Sequence, residues 1–145
     1  SNSLYLGDSG AYTLGLFIGF FLVSIYKSNP TISPYYIILL LWYPCFEILF
    51  SMIRKFKFKK SLVSADNKHF HQLIYLSLKK KTNLSNKIMN NLSAFIINFY
   101  NVIIFYIASF NIYSSNYMVS LISLNIFIYT LCYLRLLKYI FKKSS

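Results

Sequence analysis

Acidic residues are nearly absent from this chain, which carries 3 Asp plus Glu against 15 Lys plus Arg in 145 residues. A sequence of this kind does not spread carboxylates over a solvated surface, so each acid needs its own explanation. Glycine is scarce as well, and the four glycines all fall within the first 19 positions. Two of them frame the first acid in Leu6-Gly7-Asp8-Ser9-Gly10, immediately before an apolar run. The three acids, Asp8, Glu47 and Asp66, are therefore the first candidate functional residues.

Cysteine is equally rare, since only Cys45 and Cys132 occur and both lie inside apolar segments. Two intramembrane thiols provide no disulfide framework, and no cysteine is placed to complete a zinc site. Hydrophobic residues make up 57% of the chain, above the ~45–50% of ordinary soluble domains. The mean hydropathy of +0.51 agrees with that excess. The composition predicts an integral membrane protein.

Four apolar runs account for most of the chain, approximately residues 11–26, 35–53, 92–113 and 117–137. A helix needs ~20 residues to cross the hydrocarbon, and continuous runs of this kind satisfy their backbone only as helices. The predicted fold class is therefore an all-α integral membrane bundle of about four transmembrane helices. A loop over residues 54–91 separates the second and third helices. Apolar residues from Phe70 to Leu78 recur there at helical spacing and predict a short amphipathic helix.

The basic residues predict the orientation of this bundle, because cytoplasmic loops retain Lys and Arg. All of them except Lys27 lie in loop 54–91 or near the C-terminus. The N-terminus, the long loop and the C-terminus are then cytoplasmic. A basic membrane face favours anionic lipids and phosphorylated substrates over nucleic acid as partners. The small residues Gly15 and Gly19 permit close helix packing, with a homodimer as one outcome.

Glu47 lies within the second apolar run, where an ionisable group costs about 2.5–3.5 kcal/mol and commonly marks a functional site. Two interpretations stay open: a structural pair with a basic residue of a neighbouring helix, or the positioning of a loop or ligand in a cytoplasm-facing cleft. Pro44, one turn earlier, should kink the helix because it lacks a backbone N–H. Asp8 has a structural interpretation as a helix N-cap and a functional one as a metal ligand.

The two histidines occur together in Asp66-Asn67-Lys68-His69-Phe70-His71. The structural interpretation is a pair of surface histidines. The functional one is a diphosphate or metal site at the start of the amphipathic helix, where backbone amides favour an anionic ligand. Asp66, Lys68, His69 and His71 are the candidate substrate-binding residues.

Three segments in this order resemble the C-terminal part of the polyprenyl-phosphate N-acetylhexosamine-1-phosphate transferases. They are Leu6–Gly10 followed by Leu14-Gly15, then Trp42–Arg54, then Asp66–Leu73. The resemblance covers about half of the chain, and only the first motif would be specific by itself. It implies that residues 1–145 are a C-terminal fragment of a polytopic transferase domain.

The resemblance implies transfer of a sugar-1-phosphate from a UDP-N-acetylhexosamine to a polyprenyl phosphate, which releases UMP and initiates a lipid-linked envelope glycan. It further implies a multi-pass protein of the bacterial inner membrane with a cytoplasmic active site. Asp8 corresponds to the family's magnesium ligand, with Mn²⁺ as an alternative ion. His69 and His71 correspond to the residues that contact the nucleotide sugar, and Glu47 to a positioning acid.

The chain also departs from the family pattern. Gln72 stands where a third histidine is common, and Glu47 replaces the more usual aspartate. The family's N-terminal Asp-Asp pair has no counterpart, so we expect this chain alone to be inactive. The alternative hypotheses are a non-catalytic four-helix membrane subunit or transporter-like binding module, and a degenerate relative without activity.

Overall fold

The chain folds into six helices in a computed structural model that describes residues 7–57 and 68–141, with the side chains of Gly7 and Asp8 excepted. Their bounds are α1 Gly7–Ser28, α2 Pro34–Leu40, α3 Trp42–Lys57, α4 Phe70–Lys81, α5 Asn86–Ser109 and α6 Ser115–Phe141. Within these described ranges no strand is present. The all-α prediction is confirmed.

Three of the helices, α1, α5 and α6, are long and apolar enough to cross a membrane by themselves. The fourth candidate span is the pair α2 and α3, which meet at a bend of 70°. Two helices extend beyond the predicted apolar runs: α3 continues to Lys57, and α5 begins at Asn86, six residues before its run. Ser85 explains the earlier start, because its hydroxyl accepts the N–H of Ile88 at 3.4 Å and caps the helix.

The bend between α2 and α3 falls at Leu41, three residues before the kink predicted at Pro44. Pro44 occupies the third position of α3, where a helix has no partner for its backbone N–H. Its missing N–H would otherwise bond to the carbonyl of Leu40 in a continuous helix. The proline therefore ends α2 and begins α3 rather than bending a single helix at its own position.

The core lies where α2, α3 and α4 pack against α5 and α6. Its buried residues are Leu39, Trp42, Leu73, Ile104, Ala108, Met118, Leu121, Tyr129 and Tyr133. The amphipathic helix α4 is present as predicted; its Leu73 belongs to this core, and its Ile74 is buried as well. A partly buried polar pair joins the last two helices, because the Tyr100 hydroxyl donates to Asn125 Oδ1 at 2.5 Å.

Contacts at the two ends of α6 define the direction of the bundle. At the first end, the N–H of Ser33 donates to the carbonyl of Ile112 at 2.9 Å, and the hydroxyls of Ser33 and Ser115 are 3.0 Å apart. At the other end, Lys80 Nζ donates to the carbonyl of Tyr139 at 3.2 Å. The connections 29–33 and 110–114 therefore share one end, and α4 lies at the opposite end.

Helix α1 packs mainly on α2 and is largely exposed. Only 6% of its most apolar 18-residue stretch is buried. A Cβ atom added at Gly15 or Gly19 would meet nothing within 4 Å. The predicted close-packing face is thus open along the described chain. The homodimer stays a prediction.

Candidate functional site

The site is centred on Glu47, which lies on α3 one turn after its start and is 8% exposed. Its carboxylate faces the interior of the bundle, toward the first residues of α4 and the middle of α6. Three protein groups reach its two oxygens from those helices.

Carboxylate oxygen Oε1 of Glu47 accepts the backbone N–H of Phe70 at 3.0 Å and lies 3.0 Å from His69 Nδ1. The other oxygen, Oε2, accepts the hydroxyl of Tyr129 at 2.5 Å. The first N–H groups of a helix have no partner within it and carry partial positive charge. Glu47 therefore supplies the anion at the start of α4, and it joins α3, α4 and α6.

His69 is the residue immediately before α4, and its backbone N–H donates to Gln72 Oε1 at 3.1 Å. Its Nδ1 also lies 3.3 Å from the hydroxyl of Ser51 on α3. A carboxylate only accepts hydrogen bonds, so the contact with Glu47 requires the proton of a neutral His69 to be on Nδ1. Nε2 is then the ring nitrogen left to meet a ligand.

His71 is exposed and stacks on His69, with ring centroids 5.8 Å apart and planes 9° from parallel. Burial of part of the ring lowers the pKa of His71, and proximity to His69 lowers it further, whereas Glu47 acts in the opposite direction. The lowered pKa favours the neutral form of His71, whose ring can take part in hydrogen bonds.

Lys68 precedes the histidines and is held through its backbone. Its carbonyl oxygen accepts from Arg54 Nη1 at 2.8 Å and from the Tyr133 hydroxyl at 3.0 Å. Arg54 also hydrogen-bonds the Tyr133 hydroxyl. The Lys68 ammonium lies 5.1 Å from the centroid of the Phe141 ring. Lys68, His69 and His71 thus lie together at the end of the bundle that carries the basic residues.

The other two predicted acids are placed only in part. Asp8 falls in the first turn of α1 by its backbone, where a carboxylate is favoured by the helix dipole. Asp66 lies outside the described residues. Their metal and substrate roles stay predictions.

Magnesium prefers carboxylate and other oxygen ligands. Among the side chains described, no group of three or more His, Cys, Asp and Glu residues could hold a metal ion. Both oxygens of Glu47 already accept from protein donors. Glu47 is therefore engaged in contacts within the protein, and the magnesium hypothesis rests on Asp8.

An apolar groove of about 320 Å³ lies beside the break between α2 and α3. Its walls come from both sides of the break and from α6: Ile38, Leu41, Cys45, Phe46, Ile122 and Ile126. Phe46, which precedes Glu47 on α3, also packs on Tyr129 with ring centroids 5.1 Å apart. Apolar walls of this kind suit a hydrocarbon chain.

Several residues of the site had no signal in the sequence. Tyr129 and Tyr133 recur one turn apart in an apolar helix, but the chain contains 14 tyrosines, so neither was distinctive. Arg54 enters the sequence analysis as a basic residue that sets the orientation and as the end of the segment Trp42–Arg54, with no contact predicted for it. Gln72 is a departure from the histidine pattern, and in the structure its Oε1 accepts the backbone N–H of His69 just before α4.

Comparison with known proteins gives one informative similarity. The chain is 31% identical over 77 residues to the undecaprenyl-phosphate alpha-N-acetylglucosaminyl 1-phosphate transferase of Thermotoga maritima. The matched stretch takes in 53% of this chain and 25% of that protein, so the chain spans only a fraction of its relative's length. No family model matches the chain, and no solved structure matches it significantly. The chain thus combines a distant similarity to a transferase with a multi-pass helical fold.

Proposed function

We propose that this chain is part of a membrane transferase that moves N-acetylhexosamine-1-phosphate from a UDP-sugar to a polyprenyl phosphate. The observation that carries the proposal is the buried Glu47 carboxylate, which fixes His69 at the start of α4 beside His71 and Lys68. A carboxylate in a membrane helix is costly, and such residues usually serve function. The similarity to a transferase that acts on undecaprenyl phosphate supports the same reaction.

Each described group has a role in this proposal. His69 and His71 contact the diphosphate or uridine of the nucleotide sugar, and Lys68 contributes positive charge. Glu47 acts as a positioning residue, because its oxygens touch His69 and the start of α4 rather than a ligand. The apolar groove next to Phe46 accommodates the polyprenyl chain. Magnesium held by Asp8 would neutralise charge on the diphosphate, as the family resemblance implies.

The test is an assay of the complete protein in proteoliposomes with polyprenyl phosphate and radiolabelled UDP-N-acetylhexosamine. We expect label in a lipid-linked diphosphate sugar together with release of UMP. His69→Ala and His71→Ala should each raise the KM for the UDP-sugar about tenfold or more, because hydrogen bonds to charged groups contribute ~1.5–3 kcal/mol. Asp8→Asn should impair the magnesium-dependent transfer, because Asp8 is the proposed magnesium ligand.

Asn83→Ala is the matched control, since Asn83 is exposed between α4 and α5. Its KM should stay within twofold of the unaltered protein. Label that never enters lipid with any UDP-sugar would overturn the proposed reaction. An unchanged KM in both histidine variants would remove the nucleotide-binding role from this segment.

A further inference from the structure

The buried tyrosines of α6 form hydrogen bonds away from their own helix. Tyr129 and Tyr133 are 3% and 2% exposed and stack with ring centroids 6.1 Å apart. A buried tyrosine hydroxyl requires a partner. Tyr129 finds it in the carboxylate of Glu47, and Tyr133 finds it in the carbonyl of Lys68. Both partners adjoin His69.

We propose that Tyr129 is a positioning residue for His69 and acts through Glu47, an inference that rests on the proposed function. The carboxylate is planar, so a group that fixes one oxygen also fixes the other. Tyr129 holds Oε2 at 2.5 Å, and the opposite oxygen then faces Nδ1 of His69 at 3.0 Å. A carboxylate held in this way sets the tautomer and the ring orientation of its histidine. Tyr129 thereby determines which ring nitrogen meets the nucleotide sugar.

The ring and the hydroxyl of Tyr129 have separable roles. The ring packs against Phe46, Phe50 and Phe70 at centroid distances of 5.1, 5.5 and 4.7 Å. Phenylalanine would keep these contacts and the filled volume. The hydroxyl contributes the bond to Glu47, so Tyr129→Phe removes the positioning contact while the aromatic packing stays.

Arg54 and Tyr133 fix the backbone of Lys68, the residue that precedes His69. Both donate to the Lys68 carbonyl, at 2.8 and 3.0 Å respectively. The backbone before His69 is therefore fixed from α3 and α6, while the imidazole is fixed through Glu47. With the backbone held, loss of the Tyr129 hydroxyl is expected to change the imidazole rather than release the segment.

The experiment measures the His69 tautomer and the kinetics in the same variants. The complete protein is labelled with ¹⁵N-histidine, reconstituted in lipid nanodiscs, and its His69 signals are assigned by their loss in His69→Gln. In the unaltered protein we expect the shifts of a ring protonated at Nδ1. Tyr129→Phe should move the Nδ1 and Nε2 signals toward a mixture of tautomers. Glu47→Gln keeps the side-chain shape but loses the charge, and it should move them in the same direction.

Tyr106→Phe removes the same atom from a tyrosine on α5 that is 66% exposed, and it should leave the His69 signals unchanged. In the transferase assay, Tyr129→Phe should raise the KM for the UDP-sugar about tenfold, the usual effect of losing a charge-assisted hydrogen bond. The kcat should change by less than the KM, because Tyr129 does not touch the reacting atoms.

Two results would overturn the positioning role: His69 signals that are unchanged in Tyr129→Phe, or altered signals with a KM that stays within twofold. Absence of turnover in the unaltered protein would instead defeat the proposed reaction. The spectra require no substrate, so they decide the link between Tyr129 and His69 independently of that reaction.

Discussion

At the scale of single residues, Glu47 connects three helices through one carboxylate. An acid in a membrane helix costs about 2.5–3.5 kcal/mol near the bilayer centre. Glu47 offsets this cost with the Phe70 N–H, His69 Nδ1 and the Tyr129 hydroxyl. Hydrogen bonds to charged groups contribute ~1.5–3 kcal/mol each, so three of them suffice. The carboxylate is stable where it lies only while these donors are in place.

We expect Glu47→Ala to lower the free energy of unfolding by about 2 to 6 kcal/mol, the cost of two buried donors at ~1–3 kcal/mol each. The loss arises because the N–H of Phe70 and the hydroxyl of Tyr129 would be buried without acceptors. Unfolding monitored by circular dichroism in mixed micelles measures it.

Ser51→Ala is the matched control on the same helix. Its hydroxyl lies 3.3 Å from His69 Nδ1, a long contact, and its removal should cost below about 1 kcal/mol. Equal losses in the two variants would show that the carboxylate has no special stabilising role.

The sequence alone was sufficient to select Glu47 and the histidine pair but not the groups that surround them. Acids are so rare in this chain that a carboxylate inside an apolar run was conspicuous. The donors that reach it are a tyrosine among 14 and a backbone N–H. Neither leaves a pattern in the sequence, because contacts over 23 and 82 residues depend on how the helices pack.

At the scale of elements, the break between α2 and α3 gives this span its shape. Long helices were predictable because apolar runs of about 20 residues have few alternatives in a bilayer, and α4 was predictable from its helical spacing. The position of the break was not predictable in the same way. Pro44 removes a hydrogen bond from the turn that precedes it, so the helix breaks at Leu41 and not at the proline. The 70° bend turns the start of the span away from the axis of α3 and opens the apolar groove beside it.

Pro44→Ala should straighten this pair of helices, because the substituted alanine supplies an N–H that can bond to the Leu40 carbonyl. At about 1.5 Å per residue, removal of the bend lengthens the distance between positions 35 and 56 by about 5 Å. Spin labels at the exposed Tyr35 and Phe56, with Cys45 and Cys132 replaced by alanine, report that distance by pulsed electron resonance.

Pro34→Ala is the control for this measurement, since Pro34 occupies the first position of α2, where no N–H is needed. It should leave the distance unchanged. A Pro44→Ala distance equal to that of the unaltered protein would mean that packing around Leu39 and Trp42, rather than the proline, maintains the bend.

At the scale of the whole molecule, α2 and α3 together run parallel to α6. Ser33 contacts Ser115, Glu47 contacts Tyr129, and Arg54 contacts Tyr133. The interval from residue 115 to residue 133 of α6 measures roughly 27 Å at about 1.5 Å per residue. That length approaches the ~30 Å hydrocarbon thickness. These contacts favour a single crossing by the bent pair, and thus four crossings among the residues that the structure describes.

Four crossings predict that connections 29–33 and 110–114 share one side of the membrane, while α4 lies on the other. The excess of Lys and Arg around α4 predicts that its side is cytoplasmic. In a background with Cys45 and Cys132 replaced by alanine, Asn111→Cys should react with a membrane-impermeant maleimide in intact cells. Lys81→Cys should react only after permeabilisation, although both residues are exposed. Labelling of Lys81→Cys in intact cells would reverse the orientation and remove the histidine pair from the cytoplasmic pool of UDP-sugars.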